Sequence, residues 1–480
     1  MSAFTSEYEM VIGLEVHVEL KTKTKIFCSC PTDFGADPNT HVCPVCMGMP
    51  GSLPVLNRKV VEYAIKAGMA TGCKIARYSK QDRKNYFYPD LPKAYQISQY
   101  DLPLCEHGHL DIETSAGSKR IGITRIHIEE DAGKLVHDKS GTFIDCNRCG
   151  VPLIEIVSEP DIRSAEEAVA YLQKLRATIL YTGISDCRMQ EGSLRCDVNL
   201  SVHKPGEPFG TRTEMKNLNS FQYVQKAIEY EYRRQVEAIE NGEEIVQETR
   251  RFDEKSGKTF SMRRKEDAND YRYFPDPDLA PIEMSEQQLD MLEASIPVLP
   301  DARKAKYIEQ FGLTAFDAEM LTATPETADY FEAVCTETSY HKQAANLMLT
   351  EVFRLMSAEG DDAVQIPVSS GHLAKLVSMT VDGQINSSTE KKVLGELWKL
   401  GDQDPEEYVR THDLLQLSDP VLLEQLVDDA IAQNPKSVAD FKKGKTNALK
   451  SLVGQIMGKT GGRANPVIVQ QLIDQKSQNW

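Results

Sequence analysis

Four cysteines in one short stretch have spacings that can hold a metal. Cys28 and Cys30 are followed, after a loop of twelve residues, by Cys43 and Cys46, giving C-x-C and then C-x2-C. The loop is rich in Pro, Gly, Asp and Asn and turns back on itself. Four thiolates converging this way suit tetrahedral zinc. The pattern offers no fifth ligand and no open position, so the site reads as structural. The single-residue spacing of the first pair is tighter than the usual two.

A second set of residues is acidic. Glu15, His17 and Glu19 alternate with Leu14, Val16 and Val18, and Arg125, His127 and Glu129 alternate with Ile126 and Ile128. Period two is the signature of a strand with one apolar and one polar face. Glu155 interrupts the apolar run 153–157, where an unpaired charge is expensive. Asp197 and Glu214 fall on the polar parity of two further strand-like stretches. Hard oxygen ligands with one imidazole suit Mg²⁺ or Mn²⁺ better than zinc. Glu130 has the opposite parity to Glu129 and is a candidate for a second ligand set.

Mg²⁺ fills much of its shell with water and phosphate oxygens, which points to a nucleotide. The sequence contains no Walker motif. "GQIMGKT" at 454–460 is one residue short of it, and neither a G-x-G-x-x-G after a strand nor a G-x-S-x-G elbow is present. ATP use therefore implies a fold outside the P-loop class. In "DRKNYFYPDLPKAYQISQ", basic and aromatic residues interleave. Arg83, Lys84 and Lys93 are candidates to meet phosphates, and Tyr86, Tyr88 and Tyr95 to stack on a base.

The elements that must position these groups are legible in outline. Strands are expected over 10–20, in "IGITRIHIEEDAGK" around Arg125–Glu129, over the run 153–157 and in "GSLRCDVNLSVH", with an amphipathic helix over 56–72, a helix from Ser164 to Gly183 and a long charged helix from about Ser220 to Asn241. Ser164 and Glu167 read as a capping box. Prolines at 275, 277, 281, 297 and 300 punctuate a boundary near 295, beyond which the pattern is helical, with a second break near "GDQDPEE". The chain of 480 residues has a net charge of −17, which argues against wholesale nucleic-acid binding. From Phe441 onward, however, seven lysines and arginines meet a single acid, a net charge of +6. Lys442, Lys443, Lys445, Lys459 and Arg463 are candidates for phosphate contacts there. No apolar run is long enough to span a membrane, and no signal peptide is evident. The eleven cysteines read as thiols or metal ligands of a cytoplasmic protein rather than as a disulfide framework.

The strings "GLEVHVEL", "DRKNYFYPDLPKAYQISQ", "RIHIEEDAGK", "DCNRCGVPLIEIVSEPDI", "EGSLRCDVN" and "KNLNSF" closely resemble the B subunits of the bacterial tRNA-dependent amidotransferases. The resemblance covers essentially the whole chain. Within 145–158 it keeps Asn147, Arg148, Gly150, Pro152, Leu153 and Glu155. It implies an α+β fold: a cradle-like domain (1–295) on a mostly antiparallel sheet with one polar face, an all-helical domain (296–407) and a basic, tRNA-binding helical tail (408–480). The implied activity is ATP-dependent amidation of Glu-tRNA(Gln), Asp-tRNA(Asn) or both. The side-chain carboxylate is phosphorylated and then amidated with ammonia from a partner amidase. The implied assembly is a heterotrimer with that amidase, the A subunit, and a small C subunit. By match to the motifs, Glu15, His17, Glu129 and Glu155 would hold Mg²⁺, and Glu130, Glu191 and Glu214 would serve a second cation or an ammonia path. Arg83, Lys84, Tyr86, Tyr88, Lys93, Tyr95 and Arg148 would meet ATP or the aminoacyl end of tRNA. Only part of the family carries the zinc cysteines. The competing readings are a non-catalytic tRNA-holding scaffold and a stand-alone metal hydrolase.

Overall fold

The computed structural model describes residues 7–264, 270–359, 365–417, 419–442 and 448–477. The chain divides into two compact units, Met1–Leu299 and Pro300–Trp480. The fold is α+β, with strands confined to the first unit and helices making up the second among the described residues.

The first unit is built on nine strands: β1 (Glu9–Glu19), β2 (Lys74–Ile75), β3 (Cys105–Thr114), β4 (Gly117–Glu130), β5 (Pro152–Ser158), β6 (Leu194–His203), β7 (Thr213–Lys216), β8 (Glu248–Asp253) and β9 (Lys258–Arg264). Their spatial order is β9-β8-β7-β6-β1-β5-β4-β3-β2. All neighbours are antiparallel except β7 and β8, which run parallel. That parallel pair needs a crossover, and helix α3 (Phe221–Glu240) makes it. The N-terminal strand thus lies mid-sheet, between β5 and β6.

Alternation decides which face is buried. On β1, Ile12, Leu14, Val16 and Val18 are at most 1% exposed. Each contributes on the order of 2 kcal/mol by leaving water. They join one core with the apolar sides of α1 (Arg58–Ala70), α2 (Ala165–Thr182) and α3. At the start of α2, Ser164 accepts from the Glu167 amide at 3.0 Å. The reciprocal bond of a full capping box is replaced, because the Glu167 carboxylate accepts from Arg163 N instead. Gly183 closes α2 at φ +69°, a left-handed position that suits glycine. On α3, Glu231 is fully buried and ties the β7–β9 end together. It accepts from Thr213 Oγ1 (2.9 Å), Thr259 Oγ1 (2.8 Å), Gln235 Nε2 (3.1 Å) and Arg234 (2.6 Å), with Arg250 Nε at 3.3 Å.

The second unit holds two hydrophobic clusters. One gathers Tyr307, Phe331, Leu376 and Leu397 and extends to Val409. The other gathers Leu423, Val427, Leu452, Ile456 and Ile473. At "GDQDPEE" the helix Ser387–Leu400 ends, residues 401–404 form a loop, and helix Pro405–Thr411 follows with Val409 packed in the first cluster. No helix among the described residues is long and apolar enough to cross a membrane.

Candidate functional site

The face of the sheet opposite the helices carries the polar residues, and strand register sorts them into rows. In one row, His127 on β4 lies opposite Glu155 on β5. Glu155 lies opposite His17 on β1, and His17 opposite Arg195 on β6. In the row on one side, Glu129 faces Leu153, which faces Glu19. In the row on the other side, Val157 faces Glu15, which faces Asp197. Beyond that, Asn199 faces Glu214, and Glu214 faces Thr249.

Two ligand sets result. His17, Glu129 and Glu155 place ligand atoms within 4.8 Å of one another, and so do Glu15, Asp197 and Glu214. The sequence groups Glu15 with His17. They do share a face, but residues two apart on a strand stand about 6.6 Å apart along it, and each side chain joins its cross-strand neighbours. His17 Nε2 lies 3.4 Å from Glu155 and 3.6 Å from Glu129. Burial alone lowers the His17 pKa, but the hydrogen bond to Glu155 and the surrounding carboxylates outweigh it and raise the value to about 9. Burial acts to raise the Glu155 pKa, yet the positive charges of His127, His17 and Lys84 hold it well below the usual carboxylate range. His127 Nε2 completes the group at 3.7 Å from Glu155 and 3.8 Å from Glu129.

The second set contains its own cation. Lys216 pairs with Asp197 and lies 3.1 Å from Glu214. Burial and then the charges of Glu155, Asp197 and Glu214 raise the Glu15 pKa, and Glu15 accepts from Asn199 Nδ2 at 2.9 Å. Sequence alone places Asp197 on a polar face with Glu214 but does not single out His127 or Lys216 as partners of the site. The available signal is parity, since each alternates with buried apolar neighbours.

Both sets line a cleft of about 1820 Å³. Lys84, Tyr86, Tyr88, Arg148, Glu191, Arg195 and Arg212 also line it. The Lys84 ammonium lies 4.8 Å from the Tyr271 ring centre and 5.8 Å from that of Tyr86. Arg148 donates to the carbonyls of Ala132 and Gly133. Glu191 is held by Arg188 at 2.7 Å. The remaining expected residues lie elsewhere. Arg83 pairs with Asp276 (2.7 Å) and Asp278 (3.0 Å) and covers the Tyr95 ring. Glu130 pairs with Lys93 and accepts from Ile97 N at 2.9 Å, in a smaller pocket shared with Cys28, Cys46 and Tyr95. Its opposite parity sends it through the sheet, away from Glu129.

The sulfurs of Cys28, Cys30, Cys43 and Cys46 converge within 4.8 Å, so the four can hold a metal such as zinc. Hydrogen bonding from Cys28 lowers the Cys46 thiol to about 4, while burial is the main force raising Cys30 to about 11. The Cys43 amide donates to Cys46 Sγ at 3.1 Å, a contact that suits a metal-bound thiolate.

The basic tail is partly described. Arg463 pairs with Asp413 at 2.6 Å and donates to its carbonyl, and Lys459 donates to Gln433. Arg463 is thus committed to an intramolecular contact. The Lys442 side chain and all of Lys443 and Lys445 lie outside the described residues.

Comparison with known proteins covers nearly the whole chain. Residues 10–290 match the family described as "GatB/GatE catalytic domain", and residues 329–476 match that described as "GatB domain". A protein of Caldicellulosiruptor saccharolyticus, named as the B subunit of an aspartyl/glutamyl-tRNA(Asn/Gln) amidotransferase, is 56% identical over 473 residues, which is 97% of this chain and 98% of that protein. Proteins of the same name from Carboxydothermus hydrogenoformans and Geobacter sulfurreducens are 56% and 53% identical. Each match spans 98% of this chain and 99% of that protein.

Proposed function

The chain belongs to the GatB/GatE family, and from that premise we propose that it catalyses the ATP-dependent step of tRNA amidation. The substrate is Glu-tRNA(Gln), Asp-tRNA(Asn) or both. A side-chain carboxylate is a poor acyl donor. One of its oxygens attacks the γ-phosphorus of ATP, ADP leaves, and an acyl phosphate remains. Ammonia then attacks the acyl carbon, and phosphate departs with the C–O bond electrons. We assign ammonia production to a partner amidase, with a small third protein completing a heterotrimer.

The observation that carries this reading is the His17–Glu129–Glu155 set at the foot of a cleft lined by Lys84, Arg148, Arg195 and Arg212. One imidazole and two carboxylates supply donors for a Mg²⁺ ion, and a bound ion would take the place of the proton that the carboxylates draw onto His17. Such an ion, when bound, spreads the charge of the transferring phosphoryl group. Lys84, unlike Lys216, forms no close ion pair among the described residues and stands beside the Glu129–Glu155 set. It is assigned to a phosphate of the nucleotide. Glu15, Asp197 and Glu214 are assigned a second cation, in competition with Lys216. Tyr86 and Tyr88 offer ring faces at the cleft, and Arg148 offers its guanidinium. A role limited to holding tRNA gives no reason for two half-buried acid sets lining one cleft.

The test is amidation by the assembled complex, with both mischarged tRNAs supplied separately. Amide should form only with ATP and a divalent cation. Full amide yield from free ammonia without ATP would defeat the reading.

The four cysteines are assigned a structural zinc. Metal analysis of the purified chain should find about one zinc, the stoichiometry of a single four-ligand site. Cys43→Ser should lose it and lower the melting temperature. Full zinc occupancy in a Cys28→Ser, Cys43→Ser double variant would rule the site out.

A further inference from the structure

Lys25 is a fully buried lysine, 0% exposed. Its ammonium donates to the His41 carbonyl at 2.7 Å, to the Cys146 carbonyl at 3.4 Å and to Cys46 Sγ at 3.7 Å. Two carbonyls do not offset the cost of burying an ammonium, which needs an opposing charge, and the nearest group that can carry one is the Cys46 sulfur. A zinc ion held by four thiolates supplies one. Four negative sulfurs and one divalent cation leave the site with an excess of about two negative charges. A pair of disulfides, or four protonated thiols, would supply none.

The same residue joins two segments. Lys25 N donates to the Cys30 carbonyl, and Ile26 N donates to that of Gly150, both at 2.9 Å. Gly150 itself sits at φ +80°. The zinc loop and the segment 144–147 are then fastened side by side. Cys146 N donates to Asn39 Oδ1 (2.8 Å), Asn39 Nδ2 to the Ile144 carbonyl (3.0 Å), His41 N to Asn147 Oδ1 (2.9 Å) and Asn147 Nδ2 to the Asp37 carbonyl (2.8 Å). Asn147 and Arg148 line the cleft.

We propose that Lys25 is the buried counter-charge of the thiolate site and the residue that couples it to the cleft-lining segment 144–148. It is a positioning residue and touches no substrate. The proposal rests on the structural-zinc reading above. Its consequence is that zinc occupancy sets the order of Asn147 and Arg148.

The experiment compares the full-length chain with Lys25→Met, which keeps an unbranched side chain one atom shorter and removes the charge. Zinc release to an excess of a chromogenic chelator is timed, and amide hydrogen exchange is followed across 39–41 and 144–148. Partners outside the ligand shell typically change metal affinity about 10- to 100-fold, so release should quicken by at least about tenfold. Exchange at 144–148 should rise with it, while β1 and β4 stay protected. A zinc-loaded Lys25→Met chain with unchanged release and unchanged exchange would overturn the proposal. A parent chain that holds no zinc would instead defeat the zinc reading on which it rests. Should Lys25→Met not fold, the parent decides. Stripping its zinc should raise exchange at 144–148, and unchanged protection there after stripping refutes the coupling.

Discussion

Replacing Glu129 by Gln is expected to lower ATP-dependent amidation by the assembled complex about 10³-fold, equivalent to about 4 kcal/mol of lost transition-state stabilisation. Glu129 is 3% exposed and stands 3.6 Å from His17 Nε2. Gln keeps the shape and removes the charge, so the loss belongs to the charge. Glu155→Gln should be equally damaging, because its carboxylate is shared by His17 and His127 at 3.4 and 3.7 Å. Glutaminase activity should persist, since the proposal assigns ammonia production to a separate partner amidase. The measurement is kcat for amide formation at saturating ATP, alongside glutamine hydrolysis in the same complex. Undiminished amidation by a folded Glu129→Gln complex would remove the ion from the His17 set.

The second large effect is on stability. Glu231→Ala is expected to destabilise the first unit by about 3–5 kcal/mol, the usual cost of breaking a buried ion pair by removing one partner. Arg250 and Arg234 would lose their acceptor, and Thr213 and Thr259 their hydrogen bonds. A pH dependence accompanies it. Burial raises the Glu231 pKa, but the hydrogen bond and charge of Arg234, aided by Arg250, outweigh it and hold the pKa below the ordinary 4.5. A depressed folded-state pKa gives stability that is complete above about pH 4.5 and fades as the pH falls through the folded value. Urea unfolding of parent and variant at pH 7 and at pH 4 should therefore show a smaller gap at the lower pH. An equal gap at both would mean that folding leaves the carboxyl's pKa unshifted, and a larger gap at pH 4 that it is raised.

Much of this was legible in the sequence for a physical reason. The strict alternation of β1 and β4 separates faces, so the polar side of the sheet follows from parity, and the opposite directions of Glu129 and Glu130 follow with it. Which polar residues meet is a matter of register, and register depends on partners far along the chain, as for Glu15 and Asp197 on neighbouring strands. That is why Glu15 and His17, two apart and on one face, belong to different ligand sets. The stretch 83–95 shows the same limit. Lys84 reaches the cleft while Arg83, its neighbour on a short strand, is claimed by Asp276 and Asp278, 193 and 195 positions on. Nothing local to "DRKNYFYPD" encodes those acids. The lysine buried beneath the thiolate cluster was equally silent, because an isolated Lys25 beside Ile26 and Phe27 reads as the surface position it is not.

The place of β1 in the sheet also bears on how the chain is made. The strand that ends as the middle of the sheet leaves the ribosome well before both of its neighbours, Pro152–Ser158 and Leu194–His203. At roughly 5–20 residues per second, the about 130 residues between β1 and β5 take some 7–26 s to synthesise. Throughout that interval Ile12, Leu14, Val16 and Val18 have no sheet partner, and two strand edges stand open to other nascent chains. The order of synthesis thus gives chaperones that bind apolar nascent segments a long window on the very strand that carries Glu15 and His17.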